Sequence, residues 1–244
     1  MNSFAGLFAT FTTILTGFVA ISAQAESPIP SGATVLETHA VATNRKLILW
    51  MLNPTKHPSE YTSDDPYTCP DETRGSYYSG ELHVSLVNSK TNKVINVIKV
   101  ESNDPNTDID IPYKIRRGPY YRVLNGNRNT ERKPTILTLK DYNGDGKAQE
   151  FALFDAEACM GLGTTLIGYS KKEDKVKQFP IVVKTGEGMT TQYWLDYLFW
   201  VKPTKPGFWK YQIDYRGRGG TLDRHTVRYS SRSETFYATI TSQQ

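Results

Sequence analysis

Along several stretches of this chain apolar side chains recur at every second position, and no segment sustains the three-to-four-residue period of an amphipathic helix. Glu81-Leu82-His83-Val84-Ser85-Leu86-Val87 alternates polar with apolar residues, Asn88 to Asn92 supply a turn, and Lys93 to Val100 alternate again. That pattern predicts a hairpin with one buried face. Gly163 to Ser170 and Val176 to Val183 read as a second strand pair around the polar turn Lys171 to Lys175. Near the C-terminus Trp209, Tyr211, Ile213 and Tyr215 share one face of a strand. Arg216 to Thr221 then turn, and His225, Val227 and Tyr229 line the same face of the return strand. The 15 tyrosines suit this reading, because aromatic side chains pack well on a pleated surface. The expected class is all-β.

Pro134 to Leu139 lead into Asp141-Tyr142-Asn143-Gly144-Asp145-Gly146-Lys147, which places acidic or amide oxygens at loop positions one, three and five and glycine at six. A hard cation such as calcium takes oxygen ligands, and this spacing lets Asp141, Asn143 and Asp145 converge while Lys147 offers its carbonyl. Position twelve, where a bidentate Glu would complete a helix-loop-helix site, is Ala152. The nearest acid is Glu150, the expected closing ligand, with Asp155 as second choice. Phe151-Ala152-Leu153-Phe154 then reads as a strand.

An acidic loop that opens into a strand resembles the loops of the FG-GAP and VCBS repeat families. In those families the closing acid commonly sits at position nine, which here is Gln149. The resemblance implies a small, calcium-stabilised β-propeller-like domain of four or five blades, at roughly 40 to 50 residues per blade. An antiparallel β-sandwich is the alternative, since the Asp141 loop has no clear repeat elsewhere.

Residues 1 to 25 carry no charged side chain, are largely apolar from Phe4 to Ile21, and end Ala23-Gln24-Ala25. They read as a secretory signal peptide cleaved after Ala25, leaving one domain over 26–244. Thr10, Thr12, Thr13 and Thr16 dilute the run, which is short for a membrane span, so no stable membrane insertion is expected. The expected location is periplasmic or secreted. In such an oxidising compartment the two cysteines, Cys69 and Cys159, are expected to pair. Their bridge would contribute on the order of 4 kcal/mol through chain entropy. Residues 53 to 76, rich in Pro, Ser, Thr and Asp, read as a long surface loop pinned by Cys69.

The formal charge of +4 is unevenly spread: seven basic residues between Lys114 and Lys133 face only Glu131, while Glu60 to Glu72 and Glu101 to Asp110 are acidic. An excess this modest on an exported chain argues against nucleic acid as a partner. The four histidines, His39, His57, His83 and His225, show no metal-ligand spacing, and His83 and His225 read as surface or structural groups. No nucleophile elbow, zinc-protease helix or phosphate-cradling glycine loop is present. The chain therefore reads as a binding protein rather than an enzyme.

Ile136-Leu137-Thr138-Leu139-Lys140, the acidic loop, Ala158-Cys159-Met160-Gly161-Leu162-Gly163 and Ile167-Gly168-Tyr169-Ser170 together resemble a family of periplasmic immunity proteins. That family neutralises lysozyme-like effectors of type IV secretion systems and shares its fold with periplasmic lysozyme inhibitors. The resemblance spans about 77 to 183, and it implies a lysozyme-like cell-wall hydrolase as protein partner. It departs from the lysozyme inhibitors at their Ser-Gly-x-x-Tyr motif, because no Tyr falls in place after Ser31-Gly32 or Ser79-Gly80. The competing reading is a calcium-stabilised carbohydrate-binding or adhesion module. A cleft-plugging loop would have to protrude, with Tyr113 to Lys133 and Gly161 to Thr165 as candidates. A sugar site would need exposed aromatics, whereas Trp194, Tyr197, Trp200 and Trp209 read as core.

Overall fold

The computed structural model describes residues 28–57, 73–74, 77–102, 108–111, 114–117, 120–123, 135–155 and 161–244. Every regular element among them is a strand, apart from a 3-10 turn at Arg216–Arg218. The expected signal segment 1–25 and both cysteines of the expected Cys69–Cys159 bridge lie outside these residues.

An antiparallel sheet forms first from β1 (Ala33–Ala42), β2 (Arg45–Leu52), β6 (Leu82–Asn88) and β7 (Val94–Lys99), in the order β1-β2-β6-β7. The hairpin expected from the alternation at Leu82 to Val100 is the β6–β7 pair. Leu47, Leu49 and Met51 on β2, with Leu82, Val84 and Leu86 on β6, bury one face of this sheet. Its other face carries a small cluster around Ile48, Trp50 and Val87. Two three-stranded sheets are also formed. One joins β3 (Thr55–His57), β5 (Tyr77–Gly80) and β8 (Ile109–Ile111), and the other β4 (Thr73–Arg74), β9 (Lys114–Arg117) and β10 (Tyr120–Val123).

The middle sheet is β11 (Glu150–Asp155), β12 (Gly163–Ser170) and β13 (Lys175–Gln178), with β16 (Trp194–Asp196) paired to the start of β12. Strands β11 and β12 are buried at successive positions because both faces are covered. Phe151, Leu153, Ile167 and Tyr169 enter the core shared with the first sheet. Ala152, Phe154 and Leu166 enter a second core with Trp209, Val227 and Phe236. That second core is closed by a five-stranded sheet, ordered β15 (Gly188–Gln192), β14 (Ile181–Thr185), β19 (Thr235–Gln243), β18 (Leu222–Ser230) and β17 (Phe208–Asp214). The β17–β18 pairing is the C-terminal hairpin read from the alternation, and Gly219 takes the left-handed conformation in its turn.

The stretch Val176 to Val183 is not the single strand expected. It divides at Phe179-Pro180: β13 stays with the middle sheet, while β14 leaves to pair parallel with β19 in the five-stranded sheet. Proline has no N–H to give a ladder, so the chain changes sheets there. The all-β class holds. Among the described residues the strands form sheets of three to five members and close into no barrel or propeller, so the expected four or five like blades are absent.

Side-chain amides join the first sheet to the middle one. Asn96 on β7 donates to the Val176 carbonyl at 2.8 Å and accepts from the Val176 N–H at 2.9 Å. Gln178 does the same to Glu101, at 3.0 and 2.9 Å. Each amide thus occupies the place of a neighbouring strand along the facing edges of β7 and β13. Arg45 adds a two-pronged pair with Asp174 at 2.8 and 2.6 Å.

Candidate functional site

The acidic loop hangs from a single antiparallel bridge between Lys140 and Glu150. Its polar side chains turn inward onto the loop's own backbone. Asp141 accepts from the N–H groups of Gly144 (2.8 Å), Asp145 (3.0 Å) and Gly146 (3.0 Å). The Asn143 side-chain oxygen accepts from Asp145 at 2.8 Å, and Asp145 accepts from Lys147 at 2.9 Å. These bonds fix the oxygens at positions one, three and five without using up their lone pairs. Gly144 and Gly146 sit at φ of +80° and +85°, which the tight turn requires. A Cβ on Gly144 would also lie 2.8 Å from the Pro206 backbone, because the loop is pressed against the turn before β17.

Tyr142 is the loop's anchor: buried, it meets Phe199 edge-on at 5.5 Å in the second core. On the approach, the Ile136 and Leu137 N–H groups donate to the two Glu37 oxygens at 2.7 and 2.8 Å. The shift of β1 register between Val35 and Glu37 accompanies this reach across to the loop's stem. The segment from 135 to 139 is therefore held by a carboxylate and not by a strand neighbour.

Glu150, the expected closing ligand, lies fully buried behind Asn143. Its oxygens accept from Asn143 Nδ2 at 2.9 Å and from the Tyr142 N–H at 3.1 Å. Burial pushes its carboxyl up to about 8, opposed by the backbone N–H groups of Tyr142 and Asn143 and reinforced by Asp145 and Asp141. Gly168 on the neighbouring β12 makes room for it, since a Cβ there would sit 2.8 Å from Glu150 Cγ. Asp155, the second choice, stands five residues further along β11, roughly 17 Å away at strand rise. Among the described residues no three His, Cys, Asp or Glu side chains converge as a metal cluster. The loop instead offers two carboxylates, one amide oxygen and the Lys147 carbonyl. That donor set suits a hard cation completed by water, as calcium sites permit.

A second polar site was not legible in the sequence. His225 on β18, read there as a surface or structural group, is only 4 % exposed. Its ring stacks on Tyr211 of β17 at 4.4 Å, yet neither ring nitrogen has a hydrogen-bond partner. It lines a cavity of about 230 Å³ together with Asp196, Tyr215 and Asp223. The Tyr215 hydroxyl donates to Asp196 Oδ2 at 3.0 Å, the Tyr211 hydroxyl to the Asp196 carbonyl at 2.8 Å, and Thr221 Oγ1 to Asp223 Oδ1 at 2.7 Å. Burial, and then the Asp196 charge, raises both tyrosines above their ordinary range. The signal that could have pointed here is the alternation placing Tyr211 and His225 on one face. A larger cavity of about 630 Å³, reached past Lys99, Glu101 and Asp108, lies on the other side of Trp194.

The remaining expected contacts fall out differently. Gly161 to Thr165 do not protrude: Gly163, Thr164 and Thr165 are buried at the start of β12, where both neighbours cover the strand. Of Tyr113 to Lys133, residues 113, 118–119 and 124–133 lie outside the described residues. Trp194 and Trp209 are core residues, as read. Among the described residues no helix is long and apolar enough to cross a membrane. Comparison of the chain with known protein families, with curated proteins and with solved structures finds no match.

Proposed function

We propose that this is an exported, calcium-stabilised binding protein whose target is a lysozyme-like cell-wall hydrolase, which it inhibits. The observation that carries the calcium reading is the loop itself. Asp141, Asn143 and Asp145 are held in position by five hydrogen bonds from four backbone N–H groups before any ion arrives. With only two carboxylates among its donors, the site belongs with the weaker calcium modules, with dissociation constants on the order of 10⁻⁴ to 10⁻³ M. Asp141, Asn143, Asp145 and the Lys147 carbonyl would hold the ion, while Glu150 would orient Asn143 from behind.

The hydrolase target rests on the resemblance of 135 to 170 to the immunity proteins, and export on the charge-free apolar run before Glu26. Inhibition also needs a rigid protrusion, since preorganisation lowers the ordering cost of association. The β14–β15 hairpin supplies one. Lys184 to Thr191 are exposed throughout, in unbroken register from Ile181–Gln192 to Thr185–Gly188, and Met189 is 70 % exposed.

Calorimetry on chelator-stripped protein should show saturable calcium binding that Asp145→Ala abolishes. Equal binding by both proteins would refute the loop assignment. Clearing of peptidoglycan by lysozyme-family enzymes should slow on addition of the protein, and Met189→Asp should relieve that inhibition. No inhibition of any such enzyme would refute the target.

A further inference from the structure

We propose that the cavity around His225 is a binding site for a small polyhydroxylated molecule of the size of one sugar ring. Among the described residues, three buried side-chain polar atoms lack a hydrogen-bond partner: Trp209 Nε1 and both ring nitrogens of His225. An imidazole with two such nitrogens on a cavity wall calls for an occupant, because buried polar groups are otherwise paired.

The chemistry of the wall selects that occupant. Burial holds the His225 imidazole below its ordinary value, against the pull of Asp223 and Asp196, so the ring is neutral near pH 7. A neutral imidazole offers one donor and one acceptor. Asp196 and Asp223 are each held through one oxygen, by Tyr215 and Thr221, which leaves the other oxygen of each as an acceptor. An anion would be repelled by the two carboxylates. A cation would satisfy the carboxylates but leave the imidazole N–H unpaired. Hydroxyl groups both donate and accept, and so satisfy all of these groups.

Trp194, Leu195, Ile213 and Ile240 add apolar lining, with Ile213 paired to Asp223 and Ile240 to His225 across the strands. A lining that sets apolar beside polar side chains matches a sugar ring, which has hydroxyls around its edge and C–H groups on its faces. About 230 Å³ is below the range of roughly 300 to 1,000 Å³ for drug-sized ligands and suits a single ring. The site is built from strand residues far apart in sequence, 194 to 196, 211 to 215 and 223 to 225, and it stands apart from the acidic loop.

The test is a titration of the full protein with D-glucose, N-acetyl-D-glucosamine and myo-inositol, following the His225 imidazole by NMR and the tryptophan fluorescence. The His225 signals are identified by their loss in His225→Phe, which keeps a ring stacked on Tyr211. At least one probe should shift them saturably, with Asp196→Asn weakening that probe about tenfold. Asp196→Asn keeps the test decisive if His225→Phe does not fold. No shift with any probe, or unchanged binding in both variants, overturns the proposal. So does saturable binding of methylguanidinium in place of the hydroxylated probes, since that would mark a cation site.

Discussion

In the acidic loop, Asp141, Asn143 and Asp145 each accept N–H groups from two to five residues ahead, whereas His225 meets none although strands from both sides enclose it. The loop's polar groups are satisfied locally and stay in contact with water. Those of the cavity are brought together by the fold and left with capacity to bond. A locally satisfied loop keeps its shape with or without an ion. The cavity has its shape imposed by two packed sheets, and its polar atoms count against stability until something fills them. The first arrangement suits a stabilising ion, the second a ligand.

The sharpest way to break this contrast is to remove the loop's hold on the core. Tyr142→Ala should cost about 3 to 5 kcal/mol, as large aromatic deletions do, measured by denaturant unfolding. A smaller loss than that of Asp141→Ala would mean that the loop is held by its own hydrogen bonds and not by its anchor. Gly168→Ala comes next, at about 1 to 3 kcal/mol, because its Cβ would meet the Gln149 carbonyl at 2.8 Å and Glu150 Cα at 2.9 Å. Asp141→Ala should cost about 1 to 2 kcal/mol without calcium, the range for losing a capping side chain. Calcium at 100 times its dissociation constant should add about 2.7 kcal/mol to the native protein and nothing to this variant.

The smallest effect belongs to the cavity. His225 is lowered from its ordinary value of about 6.5, so below that pH the unfolded chain binds the proton more readily than the folded one. Stability should therefore fall as pH drops through that value, and His225→Phe should flatten this slope. A wild-type slope of the opposite sign would show that Asp196 and Asp223 outweigh burial and that the ring is charged in the fold.

The strands from 81 to 100 and from 208 to 230 were legible because alternation reports a half-buried face directly. The loop's turn was legible because the oxygens that fold onto its backbone lie within seven consecutive residues. The split at Pro180 carried a signal, the missing N–H, that the apolar run on either side outweighed. Glu150's place behind Asn143 was not legible: it depends on Gly168 of a neighbouring strand leaving space, and no spacing rule reports a cross-strand vacancy. Of the two roles read for His225, surface or structural, its burial against Tyr211 favours the structural one. Its neighbour Arg224 is exposed, and the Asp196 and Trp194 that line the same cavity lie some thirty residues earlier in the chain.

The paired amides of Asn96 and Gln178 give the joint between the first and middle sheets a chemical lifetime. Neither group titrates, so that joint does not loosen with pH or salt as the Arg45–Asp174 pair does. Amides are nevertheless among the thermally labile side chains. Deamidation of Asn96 would replace the donor that meets the Val176 carbonyl with a carboxylate oxygen, setting acceptor against acceptor at 2.8 Å. One hydrolysed amide would turn a strand-like contact into a repulsive one, and Asn96→Asp reproduces that aged state directly.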